Sequence, residues 1–299
     1  MGESRDHHVV PQFLLRNFAL DEARTKIATV AKEGDRAIWK ERSIRGLGYE
    51  RDFYVHMEGG KPVSVETDIN RRMETPISQS DTWAKIVAGR SDLLDRHDRP
   101  VLYSLVRHLE ARTPHYLQTG DELAEMAADP NSGLEFSEEE REMYAFLRAN
   151  PDIRKLMFNA MTLRQFADDY DRSIIMVARS PVRLRTTTTP AFAAPMEPHP
   201  AMDLPLPGIK PFQRVLMVDP HTMVSVIVGD FGGAFGNVEM EPAIARGINR
   251  TVAGQFTKFP KARHMVTDRT DLIKDMTWAP YDLVTDTPEK MVFRRRPGK

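Results

Sequence analysis

Apolar residues recur at helical spacing through the middle of the chain and alternate with polar ones towards both ends. Val101, Leu102, Leu105, Val106 and Leu109 define an amphipathic helix from Asp98 to Thr113, with Pro114 as its stop. Ile69, Met73, Pro76 and Ile77 form an earlier stripe, placing a helix over about 64–87 that Pro76 interrupts. Asp121 opens a short helix closed by the turn Pro130-Asn131-Ser132-Gly133, and Ser137 with Glu140 reads as a capping box for a helix through Arg148. Asn150-Pro151 then starts a long helix whose apolar spacing runs to Met176.

Strand texture flanks this region. Lys26-Ile27-Ala28-Thr29-Val30 and Ala37-Ile38-Trp39 bracket a turn at Gly34, which reads as a hairpin. Val182 to Thr189 alternates and is β-branched, and Gln213–Val218 with Met223–Val228 around Asp219-Pro220 makes the strongest hairpin. The proline-crowded stretch 190–211 reads as a long loop. Residues 229–236 are glycine-rich but lack the phosphate-cradling patterns, Glu241-Pro242 starts a last helix, and 263–267 suits an edge strand. These elements predict an α+β fold in one continuous domain over 1–293. A mainly helical body spans about 64–176, an N-terminal β-hairpin leans on it, and a small antiparallel sheet lies in a β-rich C-terminal half, about 181–293. Residues 294–299 read as a basic tail.

The stretch that stands apart is Asp6-His7-His8-Val9-Val10-Pro11-Gln12-Phe13-Leu14-Leu15-Arg16-Asn17-Phe18. It resembles the opening signature of a bacterial and phage family catalogued as domain of unknown function 4238. Looser similarities follow at Asp52-Phe53-Tyr54, at Glu66 and Glu74, at Ala111-Arg112-Thr113-Pro114, at Thr188-Thr189-Pro190 and at Val218-Asp219-Pro220. Where that family usually has Ser-Asp-x-Pro, this chain has Thr187-Thr188-Thr189-Pro190, so Thr188 stands in place of an aspartate. The resemblance implies a fold and assigns no activity.

Composition narrows the chemistry. With 42 basic against 43 acidic residues, the net charge of -1 supplies no global attraction to nucleic acid, acidic substrates or membranes. The absence of cysteine removes disulfides and thiolate zinc sites, so any metal ligands are His, Asp and Glu. No apolar run reaches bilayer length and no signal core opens the chain, which suits a soluble cytoplasmic protein without membrane partners.

Candidate chemistry gathers on few residues. Neutral imidazole ligates metals and shuttles protons near neutral pH, which makes His7 and His8 catalytic and metal-ligand candidates. On a strand they face opposite ways. Glu66 falls within the apolar stripe of its helix, with Glu74 at the stripe's edge; both are metal-ligand candidates, and Glu66 is also an acid/base candidate or a charge favoured at a helix start. Arg112 offers a planar fork to a carboxylate or phosphate group of a substrate, or pairs inside with a structural glutamate. His108 and His115 read as surface histidines.

Three functions compete. The leading one is a metal-assisted hydrolase acting on a phosphodiester or other anionic substrate: one of His7 and His8, with Glu66 and Glu74, holds a divalent metal or exchanges protons, and Arg112 clamps the anion. The alternative is a non-catalytic interaction or regulatory protein in which these residues form a structural polar network. The weakest is a nucleic-acid binder using Arg183, Arg185, Arg214 and the tail.

Overall fold

A computed structural model describes residues 6–129, 131–133, 135–163, 170–195, 212–228, 231–258, 262–269, 272 and 281–297. Its frame is two sheets with helices around them. The first has six strands in the order Tyr281–Thr287, Lys290–Arg295, Arg36–Ser43, Lys26–Glu33, His264–Val266 and Thr186–Thr187, all antiparallel. The second has five strands: Phe235–Glu239, Ile174–Arg179, Thr222–Ile227, Phe212–Asp219 and Ala191–Pro195, with one parallel pair between the first two. Two short antiparallel pairs stand apart, Asp6–His8 with Tyr49–Arg51 and Val55–Glu58 with Lys61–Ser64.

The expected mainly helical body with one small sheet is therefore overturned. The cause is non-local pairing: the hairpin Lys26–Glu33/Arg36–Ser43 is flanked on both sides by strands more than two hundred positions later in the chain. Local periodicity carries no information about such partners. Ile174–Arg179, whose first three residues were expected as the end of a helix, is an inner strand of the second sheet; its β-branched Ile174, Ile175 and Val177 suit a strand buried on both faces.

Helix limits move for identifiable reasons. Pro114 starts a helix, Pro114–Ala128, rather than only ending one. A proline fits the first turn because its missing N–H would find no partner there, and the Thr113 side chain accepts from Tyr116 N–H. The early helix is segmented: Glu66–Ile69, a wide π turn over Asn70–Glu74, Thr75–Ser78, then Asp81–Val87 with Ser80 as N-cap. Pro76 cannot donate back along the helix, and the wide turn lies immediately before it. Helices Arg99–Ala111, Glu138–Ala149 with its Ser137/Glu140 capping box and Pro242–Lys258 lie near the expected places. Pro151–Leu163 starts where expected, but residues 164–169 of the expected helix lie outside the described residues and its end is a strand. Arg294 and Arg295, expected in a tail, are in the last strand. The loop expected over 190–211 begins with the strand Ala191–Pro195, and its remainder lies outside the described residues.

One apolar cluster joins these parts. It runs from Val9, Val10 and Leu14 through Leu102, Leu105 and Leu109 to Val215, Val224, Phe256 and Phe293. Helix Arg99–Ala111 lies on the five-stranded sheet and also touches Pro151–Leu163. It thereby delivers its C-terminal end to the strand carrying the two histidines.

Candidate functional site

Strand alternation sends the two histidines to different places. His7 is buried to 1% exposure while His8 stays half-buried. Opposite them, His7 aligns with Glu50 and His8 with Tyr49. Val9 and Val10 N–H both donate to the Gly48 carbonyl, at 2.7 and 3.1 Å. Gly48 itself is left-handed at φ 64°, and a Cβ there would sit 3.0 Å from Val10 Cβ, so glycine is favoured at this close approach.

His7 is fixed on both sides of its ring. Tyr54 N–H donates to Nδ1 at 2.9 Å, and the Tyr54 ring stacks on the imidazole at 5.6 Å and 14°. With the Nδ1 lone pair taken, the ring proton belongs on Nε2, which faces Glu66 Oε2 at 3.9 Å. That tautomer has no second lone pair to give a metal. Glu66 remains 26% exposed and is the more open carboxylate of the group.

Arg112 is the hub. Its side chain is 2% exposed, and it caps the end of helix Arg99–Ala111. Nε donates to Tyr54 Oη at 2.8 Å; Nη1 donates to Glu74 and, at 3.1 Å, to His108 Nε2; Nη2 donates to the His8 carbonyl. The guanidinium carbon also stands 5.3 Å from the Tyr54 ring centroid. His108 passes the network on, because its Nδ1–H donates to the Thr162 carbonyl at 3.0 Å. From the same helix, Asn159 Nδ2 lies 3.3 Å from the Tyr54 carbonyl and 3.1 Å from His56 Nδ1.

Burial sets the electrostatics. It pushes His108 down to about 4 and Tyr54 up to about 12, the latter partly offset by Arg112. His8 is lowered, first by burial and then by the Arg112 and Arg45 charges, while the Leu47 backbone and Glu66 pull the other way. The Gln12 amide lies 2.9 Å from His8 Nε2.

The residues singled out in the sequence, His7, His8, Glu66, Glu74 and Arg112, thus lie in one neighbourhood. Tyr54 and Asn159 were missed, and His108 was placed on the surface although it is fully buried. A signal existed for His108: at 100° per residue it and Arg112 fall on either side of Val101, at the margin of the apolar face. His115's side chain lies outside the described residues. Among the described residues, no three His, Asp or Glu side chains converge in a group able to hold a metal ion. The arginines of the nucleic-acid reading form no open stripe: Arg214 pairs with Glu110 at 2.9 Å, Arg183 with Asp268 at 3.6 Å, and Arg185 is buried.

Beside the network opens a cleft of about 230 Å³ lined by Tyr49, Glu50, Pro114, Thr188, Arg263 and His264, among others. Glu50 and Arg263 pair across 3.5 Å. Thr188 Oγ1 accepts from Arg263 N–H at 3.1 Å and from His264 N–H at 3.4 Å. Thr188 therefore supplies an uncharged acceptor at that point. Burial, followed by the Arg42 and Arg263 charges, lowers His264 to about 4.

The family described as Protein of unknown function (DUF4238) matches residues 6–260, and the chain belongs to it. The site and the cleft-lining segments up to Thr188 fall inside that match, whereas Arg263, His264 and the C-terminal hairpin fall beyond it. No curated protein and no solved structure matches the chain. No helix among the described residues is long and apolar enough to cross a membrane.

Proposed function

We propose that this chain is a non-catalytic interaction or regulatory protein in which His7, Glu66, Glu74 and Arg112, with Tyr54 and His108, form a structural polar network. The network fastens the strand Asp6–His8 to helix Arg99–Ala111 and shapes the cleft beside it, through which the protein meets its ligand. One observation carries this reading: Arg112, almost fully buried, directs its donors to Tyr54, Glu74, His108 and the His8 carbonyl. A guanidinium committed in this way holds the fold and has little to offer a substrate.

A second reading is a metal-assisted hydrolase acting on a phosphodiester or other anionic substrate. Glu66 favours it, as a partly open carboxylate facing His7 Nε2 and influencing a half-buried His8 whose charged form burial disfavours. There His8 and Glu66 would hold the ion or exchange protons, and Arg112, Glu74 and His7 would position them.

Metal analysis and thermal melting of wild type, His7→Ala and Glu66→Ala, with and without chelator, separate the two. The structural reading expects no stoichiometric metal, no effect of chelator, and early melting of His7→Ala. Metal bound by the wild type and lost from variants that melt normally would give the function to the hydrolase.

A further inference from the structure

A second cleft, of about 360 Å³, shares no lining residue with the first. Asn17, Arg24, Arg179, Asp219 and His221 contribute its polar wall, and Ile86 is on its apolar side. The volume suits a small metabolite.

Arg24 is the unusual residue. Its backbone is left-handed, with φ 55°, a conformation that glycine or asparagine adopts readily and arginine does not. The turn around it is built without its side chain: the Asp21 carboxylate accepts from Thr25 N–H at 2.9 Å, Lys26 N–H at 2.8 Å and the Thr25 hydroxyl at 2.7 Å. A glycine would serve that turn with less strain, so the arginine is explained by its guanidinium.

That guanidinium is held by neutral acceptors. Nε donates to the Arg16 carbonyl at 3.0 Å and Nη2 to Asn17 Oδ1. Asn17 is itself oriented by donating to the Val218 carbonyl at 2.9 Å. Among the described residues no carboxylate pairs with Arg24, and three of its five N–H groups are left over from these two bonds. Arg179 differs, since Glu239 neutralises it at 2.6 Å and Asn237 accepts from it at 3.0 Å. Asp219 places one carboxylate in the wall, with Oδ1 accepting from His221 N–H at 2.6 Å. The cleft therefore offers one uncompensated, oriented cation and one carboxylate acceptor.

We propose that this cleft binds a small hydroxylated oxyanion, a phosphate ester or a carboxylate, whose charged group is forked by Arg24 and whose hydroxyl donates to Asp219. Neither the polar network nor the first cleft is required for it.

The test is calorimetric titration of the full chain with glycerol 3-phosphate, glycerate, inorganic phosphate and uncharged glycerol. At least one of the two hydroxylated anions binds and glycerol does not; which of the two binds more tightly separates phosphate from carboxylate. Arg24→Gly, which exchanges two side-chain hydrogen bonds for relief of backbone strain, stays folded yet loses about tenfold or more in affinity. Asp219→Ala, which removes the acceptor, lowers the preference for the hydroxylated anion over inorganic phosphate. Arg263→Gln, in the first cleft, binds as wild type. Absence of binding by either hydroxylated anion at about 20 mM, wild-type affinity in Arg24→Gly, or loss of binding in Arg263→Gln alone overturns the proposal.

Discussion

Tyr54 donates its backbone N–H to His7 Nδ1 at 2.9 Å, while its hydroxyl accepts from Arg112 Nε at 2.8 Å. One tyrosine thus ties the N-terminal histidine to the arginine that ends helix Arg99–Ala111. The two buried histidines on either side of Arg112, His7 and His108, must then carry their protons on opposite nitrogens. His7 accepts at Nδ1 and is protonated at Nε2; His108 donates from Nδ1 to Thr162 and accepts from Arg112 at Nε2. Long-range proton–nitrogen spectra at neutral pH are expected to show these two tautomers. An Nδ1-protonated His7 would disprove the arrangement.

Arg112 and Glu74 form a pair that is costly to break from either side. Replacing one partner leaves the other's charge buried, so Arg112→Met and Glu74→Ala should each lose about 3–5 kcal/mol in denaturant titrations. The double variant should lose less than the sum, because the second change removes the stranded charge. Arg112→Lys should not rescue, since an ammonium cannot reach Tyr54, Glu74, His108 and the His8 carbonyl together. Additive losses would show that the two residues act independently.

Acid should weaken the fold through His108. Its folded value lies near 4, below the ordinary 6.5, so the unfolded chain takes up the proton first. Stability is whole above about 6.5, falls as the pH drops towards 4, and is then flat for this group; the loss is on the order of 3 kcal/mol. His264, lowered to about 4 by burial, acts in the same direction and window. Denaturant titrations at pH 7, 5 and 4 should show a shallower decline in His108→Gln than in wild type. Equal declines would mean that His108 is not the buried neutral group described.

Thr188 offers a test of the acceptor that holds the cleft wall. Thr188→Val removes the acceptor for two N–H groups, from Arg263 and His264, and should cost about 1–3 kcal/mol. Thr188→Asp keeps an acceptor, adds a charge beside Arg263, and should melt closer to wild type than the valine variant does. The reverse order would show that volume, not hydrogen bonding, governs the position.

Local signals were legible and long-range ones were not. Ser137 and Glu140 marked their helix through a capping box, and Asp219-Pro220 marked the turn of the strand pair Phe212–Asp219/Thr222–Ile227. Residues 174–176 misled because a largely buried strand and a buried helical turn have the same apolar texture over so short a run. Pro114 misled because proline closes one helix and opens another equally well. In the site, the inward direction of Glu66 was readable, whereas Arg112 was legible only as either an anion clamp or the partner of a buried glutamate. Their partners were not: Glu74 lies 38 residues from Arg112, and His7's tautomer is set by the backbone of Tyr54, 47 residues away.

The most direct measurement is the unfolding free energy of His7→Asn beside His7→Ala, in chelator. An asparagine oxygen can stand where Nδ1 stands and accept the Tyr54 N–H, whereas alanine leaves that donor buried and unpaired, at a cost of about 1–3 kcal/mol. A structural role predicts that asparagine recovers a substantial part of the stability alanine loses. If both variants keep wild-type stability while the wild type binds a metal that both have lost, His7 serves chemistry and the structural account of the network is wrong.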